Sequence, residues 1–387
     1  MQPLSATYTC KIYTQGGAVH DITNAIVALK LSEGGNELAQ KASVEIVNIL
    51  VNGVWFLNQV NLGDQLIVFA SDSENSNQEV FRGTIWDWDY KSTKEKLLKL
   101  TAYDHLIYTQ KSKDNRFYKA GKSTKAIVSD VAADWGIPIS YNYSSITHEK
   151  VLIKNKTISD IFIDLLDEVK KKSGGEKYII RSTKGTMYIM RRGSNSRIYQ
   201  FFAKENAIST THKKTLDGVV TRVLITGKEG KDTHPPVEAT INGNTKLGVL
   251  QEIITRDADT TLGDAKKEAA GILAEKGTPG ETFGFSAPDV PWLRKGDAIY
   301  LQAGNLIGTF FITSITHDCV KKTMDADLEY TDETYSFDGS GAWKADEVVT
   351  SGSSGTTSAS SQVRVEYLDA EAMSEEEIEK IVMEVFE

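Results

Sequence analysis

Cysteine is almost missing from this chain: 387 residues hold two, Cys10 and Cys319. Two thiols so far apart cannot build a disulfide framework or a cysteine-rich zinc site, and a reduced, cytoplasmic origin is expected. No apolar run approaches the roughly 20 residues a membrane-spanning helix needs, so no stable membrane insertion is expected. Residues Met1 to Thr9 contain no basic stretch followed by an apolar one, so no secretory signal is expected either. A basic excess is also lacking. Lys and Arg number 44 against 53 Asp and Glu, a net charge of −9. That balance argues against a nucleic-acid binder and predicts no nucleic-acid specificity.

Catalytic motifs are equally scarce. Gly121-Lys122-Ser123-Thr124 has the ending of a phosphate-binding loop, but that loop needs a glycine five residues before its second glycine. Position 116 is Arg, so the segment reads as a loop leading to a helix cap. The six histidines are His20, His105, His148, His212, His234 and His317. No pair has zinc-protease spacing. His317-Asp318-Cys319 is adjacent in sequence, which is not the geometry of a triad. No serine sits in a Gly-x-Ser-x-Gly elbow. Asp87 and Asp89 could share a strand face as paired carboxylates, yet acidic residues on a solvated face are commonplace. The expectation is no catalytic residue, no metal ligand, no cofactor and no enzymatic activity.

What is present is patterning. Ile22 to Leu31, Lys41 to Val51, Gln65 to Ala70, Val80 to Trp88 and Leu97 to Tyr103 are short β-type runs separated by turn clusters, a barrel or sandwich signature. In the fourth run strict alternation sets Ile85, Asp87 and Asp89 on one face. It sets Trp86, Trp88 and Tyr90 on the other, which is expected to pack into a core. Ser123 and Thr157 cap two predicted helices, the second with the stripe Ile158, Ile161, Phe162, Leu165, Leu166 and Val169. Tyr178 to Arg181 and Met187 to Arg191 form a predicted hairpin around Lys184-Gly185. A third helix is predicted over about 262–276, and 283–331 reads as β again.

The fold class is therefore α+β, mainly β. The expected division is a first β-barrel domain over 1–111, completed by about 201–232, an inserted α+β module over 112–200 and a second β domain over 233–345. A Ser/Gly/Thr linker covers 346–373 and an amphipathic helix 374–387. Ser374 and Glu377 form a capping box for that helix. Ile378, Ile381, Val382, Val385 and Phe386 form its apolar stripe, the candidate partner-binding residues.

Several segments together resemble a known family. Phe81-Arg82-Gly83-Thr84-Ile85, then Leu100 to Leu106, then Pro291-Trp292-Leu293-Arg294-Lys295-Gly296-Asp297-Ala298-Ile299 and Phe311 to His317 are similar, in order and spacing, to XkdQ/YqbQ-type phage tail proteins, over about residues 5–335. That family is similar in plan to the central hub of T4-like baseplates. The resemblance implies two tube-type barrels with an inserted module, and a homotrimer whose pseudo-sixfold ring joins a sixfold tail tube to a threefold spike. It implies tail tube, spike and other baseplate proteins as partners. It also implies a place in a virion or tail-like particle assembled in the bacterial cytoplasm and released by lysis. Two other functions fit a tail component: a cell-wall hydrolase using Asp87 and Asp89, and a peptidoglycan- or carbohydrate-binding module at 112–200.

Overall fold

The computed structural model describes residues 6–345 apart from 93–95, 204, 229–233, 258–259, 332–334 and 338–342, and for 335–337 and 343–345 the backbone only. The expected linker and terminal helix lie outside the described residues. Contacts divide the chain into two compact units, Met1–Ser209 with Ser286–Glu387, and Thr210–Phe285.

The first unit opens with β1 (Thr7–Tyr13), β2 (Val19–Asp21), β3 (Ile26–Glu33), β4 (Lys41–Val47), a small hairpin β5 (Leu50–Val51) and β6 (Val54–Trp55), then β7 (Gln65–Ser71), β8 (Gln78–Lys91) and β9 (Leu97–Tyr103). Alternation decides their buried face. Ala42, Val44 and Ile46 of β4 stand opposite Ala102, Leu100 and Leu98 of β9, and all six are buried. Each such Leu or Ile contributes roughly 1.5–3 kcal/mol relative to an exposed one. On β8 the expected alternation is interrupted. The register against β9 shifts between Ile85 and Asp87, so Trp86 is an extra, bulged residue. A bulge reverses the faces beyond it. Ile85 therefore shares the core with Tyr90, Trp86 packs with the core of the inserted module, and Trp88, expected in a core, is exposed.

The module follows as α1 (Leu106–Lys111), β10 (Lys113–Tyr118), α2 (Thr124–Asp134), β11 (Ile139–Asn142), β12 (Val151–Thr157), α3 (Ile158–Lys172), β13 (Tyr178–Thr183) and β14 (Thr186–Arg191). Ser123 Oγ accepts from Ala126 N at 3.2 Å and Thr157 Oγ1 from Asp160 N at 3.1 Å, the two expected caps. All six stripe residues of α3 are buried. Lys184 and Gly185 both have positive φ, 50° and 80°, as the two central positions of a type I′ turn require. The core combines α2, α3 and the β11-β14-β13 sheet.

After β15 (Tyr199–Phe202) come β16 (Ser209–Thr215), β17 (Arg222–Thr226), β18 (Val237–Asn242), β19 (Gln251–Thr255), α4 (Leu262–Lys276) and β20 (Gly280–Pro288). Within the second unit β18-β17-β19 form a sheet, and Val223 and Ile225 pack with Ala265 and Ala269 of α4. The chain then forms β21 (Ala298–Ala303), β22 (Leu306–Asp318), β23 (Thr323–Thr331) and the short pair β24 (Tyr335–Phe337) and β25 (Trp343–Ala345). The main sheet of the first unit runs β23-β22-β3-β4-β9-β8-β7-β1-β2. Its seam is β22 on β3, where Ile315 pairs with Glu33 and Asp318 with Lys30. The class is α+β and mainly β, as expected.

Candidate functional site: a buried charged junction

The segment Arg294-Lys295-Gly296-Asp297, between β20 and β21, reaches three parts of the first unit. Asp297 closes its own turn, Oδ2 accepting from Arg294 N at 2.9 Å. Its Oδ1 accepts from Arg181 Nη1 on β13 at 2.7 Å. Arg294 donates to Glu33 on β3 through Nε at 2.7 Å and Nη2 at 2.8 Å, a two-pronged pair of the kind a guanidinium and a carboxylate fit best. Lys295 donates N to Glu33 at 3.0 Å. Its Nζ donates to the carbonyls of Gly34, Gly35 and Glu37 at 2.7, 2.9 and 2.8 Å, using all three hydrogens. Strand β3, the β3–β4 loop, β13 and the entrance to β21 are thereby joined through charges.

Burial opposes ionisation of Glu33, but the Arg294 guanidinium, its hydrogen bonds and the Lys295 N–H outweigh it and hold the carboxyl below its usual range. Burial pushes Asp297 up, with Arg181 offsetting part of that, and pushes Lys295 down. Nearby, Asp104 accepts from Gln40 N at 3.0 Å and Leu106 N at 2.9 Å. Burial raises it to about 7 even against those donors.

Two glycines of the shared segments have steric reasons. Gly296 has φ +89°, and a Cβ there would lie 2.7 Å from Ile179 Cγ1. A Cβ on Gly83 would lie 2.5 Å from the Tyr103 carbonyl oxygen, so only glycine lets β8 approach β9 at that point.

A second buried knot explains the adjacent His317-Asp318-Cys319. His317 Nδ1 lies 2.6 Å from Asp289 Oδ1 and Nε2 donates to Leu293 O at 3.1 Å. Tyr8 OH donates to the other Asp289 oxygen. His317, Asp289 and both cysteines are buried, and burial pushes both thiols up. The knot fastens β1 to β22 and the segment before β21.

Of the other residues singled out from sequence, Gly121 to Thr124 is the turn into α2. Thr124 Oγ1 lies 2.7 Å from His148 Nε2, whose Nδ1 lies 2.9 Å from Glu168 Oε2. Asp87 and Asp89 are both exposed on β8. Trp55 is exposed with Lys96 4.8 Å above its ring, and Trp292 Nε1 donates to Asp72 at 2.6 Å. Ile378, Ile381, Val382, Val385 and Phe386 lie outside the described residues. Among the described residues no group of three or more His, Cys, Asp or Glu could hold a metal ion. A groove of about 500 Å³ is lined by Thr84, Tyr108, Trp135, Ile137 and Pro138.

Sequence reasoning picked out the Arg294 to Asp297 turn but not its partners. Parity carries a signal for one of them. Leu29, Leu31 and Glu33 share a face of β3, and the two leucines are buried, so a carboxylate at the third position is aimed inward.

The YQBQ-like family profile matches residues 36–330, from the β3–β4 loop almost to the end of β23. The chain belongs to the YQBQ-like family. Each of the four segments that carried the resemblance has a physical role here: the Gly83 approach, the Asp104 carboxyl, the Arg294 to Asp297 junction and the His317 knot all lie inside the YQBQ-like span. No curated protein sequence matches. The fold is similar to that of the tail protein from Neisseria meningitidis MC58, at 12% identity and TM-score 0.60, over 84% of this chain and 97% of that one. It is also similar to the 43 kDa tail protein of prophage MuSo2 from Shewanella oneidensis, at 14% identity and TM-score 0.59, over 84% and 98%. A chain of the half-lidded Francisella PdpA–VgrG complex matches at 12% identity and TM-score 0.51, over 87% and 61%.

Proposed function

We propose that the chain is a structural subunit of a phage tail or tail-like particle: a baseplate hub protein that forms a homotrimer, joins the sixfold tail tube to the threefold spike, and catalyses no reaction. The observation that supports this reading most is the fold held in common with two tail proteins over 97% and 98% of their length. Its partners in this reading are the tube protein, the spike protein and other baseplate proteins. It assembles in the bacterial cytoplasm and leaves by lysis. The two tube-type barrels over 1–111 with 201–232 and over 233–345, the module at 112–200 and the linker at 346–373 belong to the same proposal. So does a docking role for Ile378, Ile381, Val382, Val385 and Phe386.

The physical logic is burial. A ring of head-to-tail contacts that closes needs one patch of each subunit to fit a different patch of the next. Such interfaces bury about 2,000 Å² or more. Light scattering over a concentration series tests the reading. A mass near three times 42.7 kDa, alone or after addition of the tube and spike proteins, is the expected result. A chain that stays monomeric with both partners present sinks the trimeric hub, and cell-wall digestion by the purified chain sinks the non-enzymatic reading.

A further inference from the structure

Charge is unevenly distributed along the chain. Residues 112–200 contain 17 Lys and Arg against nine Asp and Glu, in a chain whose net charge is −9. Residues 346–387 contain 11 Asp and Glu against two Lys and Arg. The module is thus a basic body in an acidic chain, and the last stretch of sequence is its electrostatic opposite.

The module also carries an uncovered apolar spot. Strands β10 and β12 pair antiparallel, with Phe117 opposite Leu152. Tyr118 and Ile153 turn inward and are buried, while Phe117 is 53% and Leu152 55% exposed. Alternation places Lys119 on the outer face beside Phe117, and Lys150 and Lys154 on either side of Leu152. All three lysines are exposed. Lys150 Nζ lies 5.4 Å from the centre of the Phe117 ring. Lys156 is already held by Asp164. Among the described residues, Lys119, Lys150 and Lys154 have no carboxylate in ion-pair range, the exposed Glu149 included.

We propose that residues 366–387 dock on this outer β10–β12 face of their own chain. Ile378, Ile381, Val382, Val385 and Phe386 cover Phe117 and Leu152, and the surrounding glutamates meet Lys119, Lys150 and Lys154. The match is twofold. The segment interleaves its apolar residues with Glu375, Glu376, Glu377, Glu379 and Glu384, and the face interleaves its two apolar residues with lysines. An amphipathic helix laid on an apolar spot gains stability that so short a helix lacks alone. The 20 residues from 346 to 365 can span about 68 Å when extended, more than the width of an ordinary domain. The inference rests on the docking stripe proposed above, and its exchange and cross-linking readouts do not depend on trimer formation.

The test uses the full chain. Hydrogen exchange is followed over residues 366–387 in wild type, in Lys150→Glu/Lys154→Glu, and in that variant carrying Glu376→Lys/Glu379→Lys. Wild type should show protection that falls as salt rises, because exposed ion pairs are screened. Reversing two lysines removes two weak attractions and adds repulsions, and should lower protection about tenfold. The four-site variant should restore it, which a merely misfolded module would not do. Zero-length carboxylate–lysine cross-links at micromolar dilution should join Lys119, Lys150 or Lys154 to Glu375–Glu384 within one chain. No protection in wild type, protection indifferent to the lysine reversal, or cross-links formed only between copies would each overturn the proposal.

Discussion

Two of the first unit's arginine–carboxylate networks sit in different media. Arg294, Arg181, Glu33 and Asp297 form the junction, with Glu33 and Asp297 buried and Arg294 nearly so. Arg116 on β10 gathers Asp114 at 2.7 Å, Asp134 at 2.7 Å and Asp130 at 3.6 Å, but the Asp134 side chain is 62% exposed. The groups and distances are alike, and solvent makes the difference. The two arginine side chains are equally covered, 13% and 12% exposed, but the carboxylates around Arg116 reach into water and two remain when one is lost, whereas at the junction a lost partner leaves a charge stranded in a low dielectric. The largest expected effect follows. Glu33→Gln should destabilise the chain by about 3–5 kcal/mol in denaturant unfolding, since Arg294 loses its counter-charge and one of the two accepting oxygens becomes an NH2 group that faces its donors. The double variant Glu33→Leu/Arg294→Met removes both charges and should recover much of that loss. If the single and double variants are equally unstable, stranded charge is not the cause.

Protonation offers a second way to separate the two networks. Asp104, beside the junction, keeps its proton in the folded chain up to about 7, whereas in an unfolded chain an aspartate releases it near 3.9. Between those values the unfolded state binds fewer protons than the folded one, so this group's contribution to stability falls as pH rises from about 4 to 7 and is level above. Glu33 works in the opposite direction. Its carboxyl is held low, so its contribution is present above the unfolded value and is lost as pH falls. The difference between wild type and Asp104→Asn isolates the first effect. Relative to wild type, the asparagine variant should gain about 3 kcal/mol between pH 4.5 and 7.5, because over most of that range only the folded wild type holds the proton and each pH unit is worth about 1.4 kcal/mol. A difference that is flat with pH would mean that Asp104 is ionised throughout.

The difference between buried and exposed charge also explains what was legible in the sequence. Alternation and capping are local, so β9, α2 and α3 were readable nearly to the residue, as was the hairpin turn at Lys184-Gly185, while the run from Lys41 to Val51 merged β4 with β5. The bulge at Trp86 was not, because an extra residue in one strand shows only against its partner β9. Short α1 lacks a stripe long enough to detect. The turn Arg294 to Asp297 stood out as a segment, but its work depends on Glu33, more than 260 positions away, and on Arg181. No local pattern links residues at that separation. Parity alone marked Glu33, and nothing marked Arg181 or Asp104 as buried.

Backbone freedom separates the two settings by a smaller margin. Gly296 and Gly121 both have strongly positive φ, +89° and +97°. A Cβ at Gly296 would also strike Ile179, whereas nothing lies within 4 Å of one at Gly121. Both alanine variants take on the cost of a left-handed residue, about 1 kcal/mol. Only Gly296→Ala must in addition displace a packed side chain, and it should lose about 1–2 kcal/mol more than Gly121→Ala in thermal unfolding. The smallest effect belongs to the exposed network. Asp134→Asn removes one of three carboxylates from Arg116, the most exposed of them, and leaves Asp114 and Asp130 to neutralise the guanidinium. Its cost should stay under about 1 kcal/mol and shrink further at 1 M salt, where the Debye length is about 3 Å. A loss comparable to that of Glu33→Gln would mean that Asp134 is covered in solution. The face adjoining β10 would then be the first place to look for what covers it.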